Sequence, residues 1–182
     1  MGLSRLDNFL KSSRGTILYV NPNDLDATDS IENQGNSLTR PFKTIQRALL
    51  EAARFSYQRG LNNDRFAKTT IQVYPGEHVI DNRPGFIPDG TNNYRLRNGT
   101  TSDNLPAFDL STNLDLASAD NNLFKLNSIH GGVIIPRGTS LVGVDVRKTK
   151  IRPKYIPSPT NSNIERSAIF RVTGGCYFGQ FS

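Results

Sequence analysis

The sequence has one cysteine, one methionine, two histidines and no tryptophan in 182 residues. The single cysteine, Cys176, excludes an internal disulfide, so the fold must be held together by packing. The two histidines, His78 and His130, lie far apart and give no zinc-binding spacing with one cysteine. The sequence therefore predicts no disulfide framework, no metal site and no cofactor.

Long apolar runs are also missing. No run approaches the roughly 20 residues of a transmembrane helix, and the opening MGLSRL lacks the apolar core of a secretory signal. Hydrophobic residues make up 36% of the chain, less than in most globular domains. This composition favours many short strands joined by polar turns, in a protein made in the cytosol and without a membrane span.

The chain is basic, with a formal net charge of +6 and a sequence pI of about 9.7. Most cations are scattered, which is typical of a solvated surface and argues against nucleic acid as a partner. One cluster, RKTKIRPK, is different: on a strand, Lys148, Lys150 and Arg152 would share one face, while Thr149 and Ile151 would point inward. This face is either solvated surface or a contact for an anionic partner, an acidic protein or a polysaccharide.

Several short β runs occur singly along the chain, without the dipeptides that make tight hairpins. Each is bounded by glycine, proline or polar residues, and IQVYPG resembles VIIPRG further along the chain. Short runs that come singly fit the successive sides of a coil. The predicted strands are 16–20, 70–74, 78–81, 133–135, 140–144 and 148–152. The side chains expected to point into the coil are Ile71, Val73, Val133, Ile135, Leu141 and Ile151.

One long amphipathic helix is predicted at about 41–59. Pro41 suits the first helical position, Thr39 or Arg40 would cap it, and Gly60 would end it. An apolar stripe would face the core, and polar residues would lie elsewhere on the helix. The stripe consists of Phe42, Ile45, Ala48, Leu49, Ala52, Ala53 and Phe55, and the polar positions are Lys43, Gln46, Arg47, Glu51 and Arg54.

Two long polar stretches separate these elements. Residues 21–40 are rich in turn-forming residues, and Asp24, Asp26 and Asp29 lack the glycine and distal glutamate of an EF-hand calcium loop. We therefore predict a solvated loop there. Residues 82–129 are too many for a structureless loop and are predicted to form an ordered insertion on the outside of the coil.

The first residues carry a second amphipathic pattern. Leu3, Leu6, Phe9 and Leu10 recur at helical spacing, but a helix of about nine residues is too short to be stable alone. We expect this segment to dock, either on its own domain or on a partner.

The order of several short motifs resembles the start of pectate-lyase-like β-helix proteins. The resemblance covers about residues 17–81 and 131–182, and the whole chain resembles virion proteins from the tails of contractile-tailed cyanobacterial phages. The motifs are Tyr19-Val20, Gly35-Asn36-Ser37, Pro41-Phe42, Thr44-Ile45-Gln46, Ala48-Leu49, Tyr74-Pro75-Gly76 and the IPRGTSLVG segment from Ile135 to Gly143.

The resemblance implies an all-β fold with one capping helix. The expected architecture is a right-handed single-stranded parallel β-helix, of which this chain is the N-terminal portion. Residues 1–16 would form an attachment segment and residues 17–182 the start of the β-helix, with later coils following. The helix at 41–59 would cover the open end of the first coil, where exposed backbone would otherwise pair with other chains.

The function implied is that of a non-enzymatic structural component of a phage tail. This component would be a fibre, spike or baseplate protein whose N-terminal part anchors a β-helical shaft to the virion for host attachment. It would be assembled in the host cytoplasm beside other tail or baseplate proteins, with a homotrimer as one option. Leu3, Leu6, Phe9 and Leu10 would dock on another virion protein or a sister copy, and host polysaccharide would be reached through a downstream region.

Two other functions remain open at this point. The first is a tailspike depolymerase, a polysaccharide lyase or glycosidase with its active site on later coils. No catalytic residue is predicted in this chain, because Asp81 and Asp145 are isolated and Glu77 is predicted to lie in a turn, so no carboxylate pair is formed. The second is a bacterial surface adhesin, which the missing secretory signal disfavours.

Overall fold

The computed structural model describes residues 16–56, 68–82, 86–88, 94–96, 123, 126–128, 131–154, 156 and 168–182. Within these residues the chain is mostly β, with a single helix, α1 (Ile45–Ser56). The strands are β1 (Ile17–Val20), β2 (Thr69–Val73), β3 (Gly76–Ile80), β4 (Phe86–Pro88), β5 (Tyr94–Leu96), β6 (Val133–Ile135), β7 (Thr139–Gly143), β8 (Thr149–Pro153), β9 (Phe170–Val172) and β10 (Tyr177–Gly179).

Three of the sheets consist of parallel strands. β1, β2, β7 and β10 form one sheet in that order, β3 pairs with β8, and β6 pairs with β9; β4 and β5 form an antiparallel pair. From β6 onward the chain passes through the three parallel sheets in turn, so that β9 lies beside β6 and β10 beside β7. The prediction of an all-β chain with one helix is confirmed for the described residues.

The register of the four-stranded sheet stacks apolar side chains in a column. Leu18, Ile71, Leu141 and Phe178 are consecutive partners on neighbouring strands. The first three are fully buried, whereas Phe178, on the edge strand β10, is 44% exposed. Because side chains alternate along a strand, one residue in two joins this core and the next faces outward.

The strand positions predicted to point inward do so. Ile151 is partly buried and packs against the core, and the other five positions are fully buried. Those five are Ile71, Val73, Val133, Ile135 and Leu141.

Two glycines allow close approaches that a larger residue would block. Gly35 has φ of +62° and lies against the ring of Phe42. Gly143 lies against the backbone carbonyl of Gln180, so the turn after β10 packs directly on the end of β7. A Cβ atom at either position would overlap its neighbour, and Gly35 is also in a backbone region that favours glycine.

Helix α1 begins at Ile45, later than predicted. The Thr44 hydroxyl oxygen accepts the N–H of Arg47 at 3.2 Å, which makes Thr44 the N-cap. The prediction of a cap at Thr39 or Arg40 is therefore wrong. Pro41 lies before the helix, and the predicted end at residues 57–60 lies outside the described residues.

The inner face of α1 is as predicted, but its polar face is not solvated. The helix packs on β1, β2 and β3 through the buried residues Ile45, Ala48, Leu49 and Ala52. Gln46, Arg47 and Glu51 were predicted to lie off the buried stripe, yet they are only 6%, 2% and 7% exposed. The prediction is correct for Lys43 and Arg54, both of which are exposed.

The loop at 21–40 covers this polar face. Arg47 donates from Nη2 to the carbonyl of Asn33 at 3.2 Å. Asn33 is itself buried, and its amide donates to the carbonyls of Thr28 and Pro41. The prediction of a solvated loop is therefore wrong where the loop lies on α1.

Asp29 anchors the same loop to the start of the helix. Its Oδ1 accepts the backbone N–H groups of Lys43 at 2.9 Å and Thr44 at 3.0 Å. The carboxylate therefore satisfies two donors that precede the helix.

Candidate functional site

The outer face of the β3–β8 sheet carries the basic residues that the sequence singled out. Lys150 and Arg152 are exposed on β8, and Lys148 is exposed in the turn before it. Thr149 is buried and Ile151 is partly buried, so the strand alternates as predicted. The structure therefore brings Lys148, Lys150 and Arg152 to one surface, which we call the basic face.

Acidic residues lie beside this basic face. Glu77 on β3 is the register partner of Lys150, and its Oε2 lies 3.6 Å from the Nε of Arg152. Both side chains of that ion pair are more than half exposed, so water and salt weaken it. The prediction that Glu77 lies in a turn is wrong, because the strand begins at Gly76, directly after the turn residue Pro75.

Asp81 forms an ion pair across the β3–β8 sheet. Its Oδ2 lies 3.1 Å from the Nζ of Lys154, which follows β8. The Asp81 carbonyl also accepts the amide N–H groups of Asn127 at 2.8 Å and Gln46 at 3.3 Å. The end of β3, the helix and the segment before β6 thus meet at one buried polar junction.

The turn between β7 and β8 is shaped by Asp145. Its carboxylate accepts the backbone N–H of Arg147 at 2.9 Å, and its carbonyl accepts those of Lys148 and Thr149. In the described part of the chain, no carboxylate pairs with the side chains of Arg147, Lys148 or Lys150. All three of these cations are exposed, so an anion could reach them.

A polar cavity of about 420 Å³ lies between the loop at 21–40 and α1. Glu51 lines it and is held by Arg47 Nη1 at 2.9 Å and by Arg54 Nη1 at 3.5 Å. The sequence analysis did not find this cavity, because the segments that form it are joined only by tertiary contacts. The other lining residues are Thr16, Ile31, Glu32, Asn33, Gln34 and Asn36.

Burial shifts the pKa of two groups away from the basic face. Desolvation raises the pKa of Asp29 above 3.8, and the hydrogen bonds from Thr44 and Lys43 oppose this shift in part. Desolvation lowers the pKa of His78 below 6.5, although its hydrogen bond to the Tyr74 carbonyl acts in the other direction. Both groups hold the fold locally through these hydrogen bonds.

The remaining sequence-predicted residues add nothing to this surface. Leu3, Leu6, Phe9 and Leu10 lie outside the described residues. Within the described ranges, no group of histidine, cysteine, aspartate or glutamate side chains could hold a metal ion. No described helix is long and apolar enough to cross a membrane.

No protein-family model, curated protein or solved structure matches this chain.

Proposed function

We propose that this chain is a structural component of a phage tail, a fibre, spike or baseplate protein. In this proposal its N-terminal part anchors a β-helical shaft to the virion for host attachment. The observation that carries the proposal is the passage of the chain through three parallel sheets in turn, with each strand in register on its predecessor.

That passage supports a single-stranded parallel β-helix. β6, β7 and β8 form the sides of one round, and β9 and β10 begin the next. The connection between two parallel strands of the same sheet is right-handed in nearly all proteins, which supports a right-handed coil. Such a coil grows by adding rounds, so it suits a shaft better than a compact enzyme domain.

Helix α1 supports the role of a cap at the first round. It packs on β1, β2 and β3, the earliest strands of the parallel sheets. A coil exposes backbone and apolar side chains at each end, and a helix laid over one end prevents pairing with other chains there.

The described carboxylates support a structural role over an enzymatic one. Asp81 is paired with Lys154 and Asp145 holds the turn before β8. Acid–base cleavage of a glycosidic bond needs two carboxyl groups that flank the substrate. Asp81 and Asp145 instead each have a local structural partner.

The attachment role is assigned to residues 1–16, with Leu3, Leu6, Phe9 and Leu10 as the docking side chains. Their partner would be another tail or baseplate protein or a sister copy in a homo-oligomer. The basic face would contribute a contact for an acidic partner, through Lys148 and Lys150 above all. Host polysaccharide would be bound by regions further along the shaft.

The test is to delete residues 2–14 and measure both the melting temperature of the purified protein and its incorporation into tails. We expect melting to change little and incorporation to be lost. Replacing Leu3, Leu6, Phe9 and Leu10 by serine should reproduce the loss. Replacing Asp7 and Asn8 by alanine, on the polar side of the same pattern, should leave incorporation intact.

Two results would contradict the proposal. If melting collapses in the deletion variant, the segment belongs to the core of the domain and does not anchor it. If all variants enter tails equally well, the apolar side chains are not the docking residues.

A further inference from the structure

Ser182 is already paired with the outer edge of β8. Its N–H donates to the carbonyl of Thr149 at 3.1 Å, and its carbonyl accepts the N–H of Ile151 at 3.1 Å. This is the hydrogen-bond pattern of a parallel pair, with Ser182 opposite Lys150. No other described residue pairs with that edge.

The pairing of Ser182 with Lys150 determines which β8 residues would lie opposite any residues added after Ser182. A residue placed after Ser182 would lie opposite Ile151, on the inward side of the sheet. The next residue would lie opposite Arg152, on the outward side, and its N–H could donate to the carbonyl of Ile151. Pro153 then ends the pairing on the β8 side, because proline has no N–H to donate.

The inward side at this end is apolar and incompletely covered. Ile151 is only partly buried. Phe178 is 44% exposed, and its ring lies 4.8 Å from that of Phe181 and 5.5 Å from that of Phe170. Phe170 and Phe181 pack against the core, so an apolar side chain on a further strand would extend the same cluster.

The outward side has the opposite chemistry. Arg152 shares its face with Lys150, and among the described residues the carboxylate that pairs with Arg152 is that of Glu77, on the β3 side. A directly opposed pair of unlike charges on neighbouring strands is stabilising, whereas like charges oppose pairing. An acidic side chain is therefore favoured opposite Arg152.

We propose that the outer edge of β8 accepts one further parallel strand, which continues from Ser182 with an apolar residue opposite Ile151 and an acidic residue opposite Arg152. This inference rests on the proposed coil and specifies the chemistry of its next side. The hydrogen bonds of Ser182 set the direction and register of that strand. Pro153 limits its paired length to the residue opposite Arg152.

The test compares two versions of the 182-residue chain, extended after Ser182 by Val-Glu-Gly or by Glu-Val-Gly. The two extensions have the same composition, and only the first places valine inward and glutamate outward. We expect the Val-Glu-Gly protein to melt about 2–4 °C higher. A Val-Lys-Gly protein should fall between the two, because it keeps the apolar contact and loses the charge pair.

Equal melting temperatures for the three proteins would overturn the inference. Light scattering of the unextended protein adds a second check. If the unextended protein forms dimers and all extended proteins are monomers, a second copy of the chain occupies the edge of β8. That result would also overturn the inference. The order of the melting temperatures does not depend on tail assembly, and the incorporation assay does not depend on residues after Ser182. The further strand on β8 and the anchoring role of residues 1–16 can therefore fail independently.

Discussion

Asp29 and His78 are titratable side chains that the fold holds where burial opposes their charge. Each side chain makes hydrogen bonds that offset part of this cost. Asp29 accepts two backbone N–H groups before α1, and His78 donates to the Tyr74 carbonyl. The cost of desolvation and the benefit of the hydrogen bond can be separated by pH.

Asp29→Asn and Asp29→Ala should separate these two effects. The folded-state pKa of Asp29 is above 3.8, so protonation of this carboxyl group stabilises the folded state relative to the unfolded state. That stabilisation is fully present below pH 3.8 and is lost as the pH rises through the folded-state pKa. Asparagine keeps an acceptor oxygen without the charge, so at pH 7 its unfolding free energy should equal or exceed that of the wild type. Alanine should cost about 1–3 kcal/mol, because two N–H groups lose their acceptor.

Urea unfolding at pH 4 and pH 7 checks this prediction. The wild-type protein should lose more stability across that interval than Asp29→Asn. If the asparagine variant is as destabilised as the alanine variant at pH 7, the charge itself holds the loop.

His78→Gln should reduce acid sensitivity. The folded-state pKa of His78 is below 6.5, so its contribution to stability is fully present above pH 6.5 and is lost as pH falls toward the folded pKa. The glutamine variant should therefore show a smaller fall in melting temperature between pH 7.5 and pH 5.5. An unchanged fall would mean that His78 is protonated at little cost in the folded protein.

Helix α1 carries Arg47, the largest fully buried side chain among the described residues. Arg47 is 2% exposed; it pairs with Glu51, donates to the carbonyl of Asn33, and places its guanidinium 4.7 Å from the centroid of the Phe42 ring. It therefore joins the helix to the loop at 21–40, and a cation at this position holds two segments together.

Arg47→Met and Arg54→Met form a matched pair, because both arginines flank Glu51. Arg47→Met should cost about 3–5 kcal/mol, since it breaks a buried ion pair and leaves loop carbonyls without a donor. Arg54 is 51% exposed and lies 3.5 Å from Glu51, so its replacement should cost less than about 1 kcal/mol. Chemical unfolding measures both, and equal costs would contradict the buried role of Arg47.

In the described part of the chain, three sheets repeat one construction, in which each strand lies parallel and in register beside a strand from another part of the sequence. This register aligns one apolar column through the four-stranded sheet, made of Leu18, Ile71, Leu141 and Phe178. The carboxylates near the sheet edges serve turns and ion pairs, as Asp145 and Asp81 do.

The purified protein should release neither reducing ends nor unsaturated sugars from acidic polysaccharides. The physical reason is that Asp81 and Asp145 already serve the fold, so they offer no free acid and base. A reducing-end assay and the ultraviolet absorbance of unsaturated sugars would measure this. Turnover that persists through purification and vanishes in Asp81→Asn or Asp145→Asn, with melting intact, would favour the depolymerase.

The sequence by itself determined six of the ten described strands and the inner face of the helix. Ile71, Val73 and Leu141 lie in runs that alternate every second residue, and Leu49 lies in a stripe with helical spacing. Such periodicities depend on neighbours a few residues away, so they can be seen without the fold. The common face of Lys150 and Arg152 follows from the same alternation.

Only the tertiary structure decided what covers the remaining surfaces. Arg47 and Glu51 have a polar pattern that is typical of an exposed face, yet a loop lies on them. The pairing of Asp81 with Lys154, and of Asp29 with the start of α1, joins residues that are distant in sequence. Burial of a polar side chain depends on which remote segment packs against it, and no local pattern carries that information.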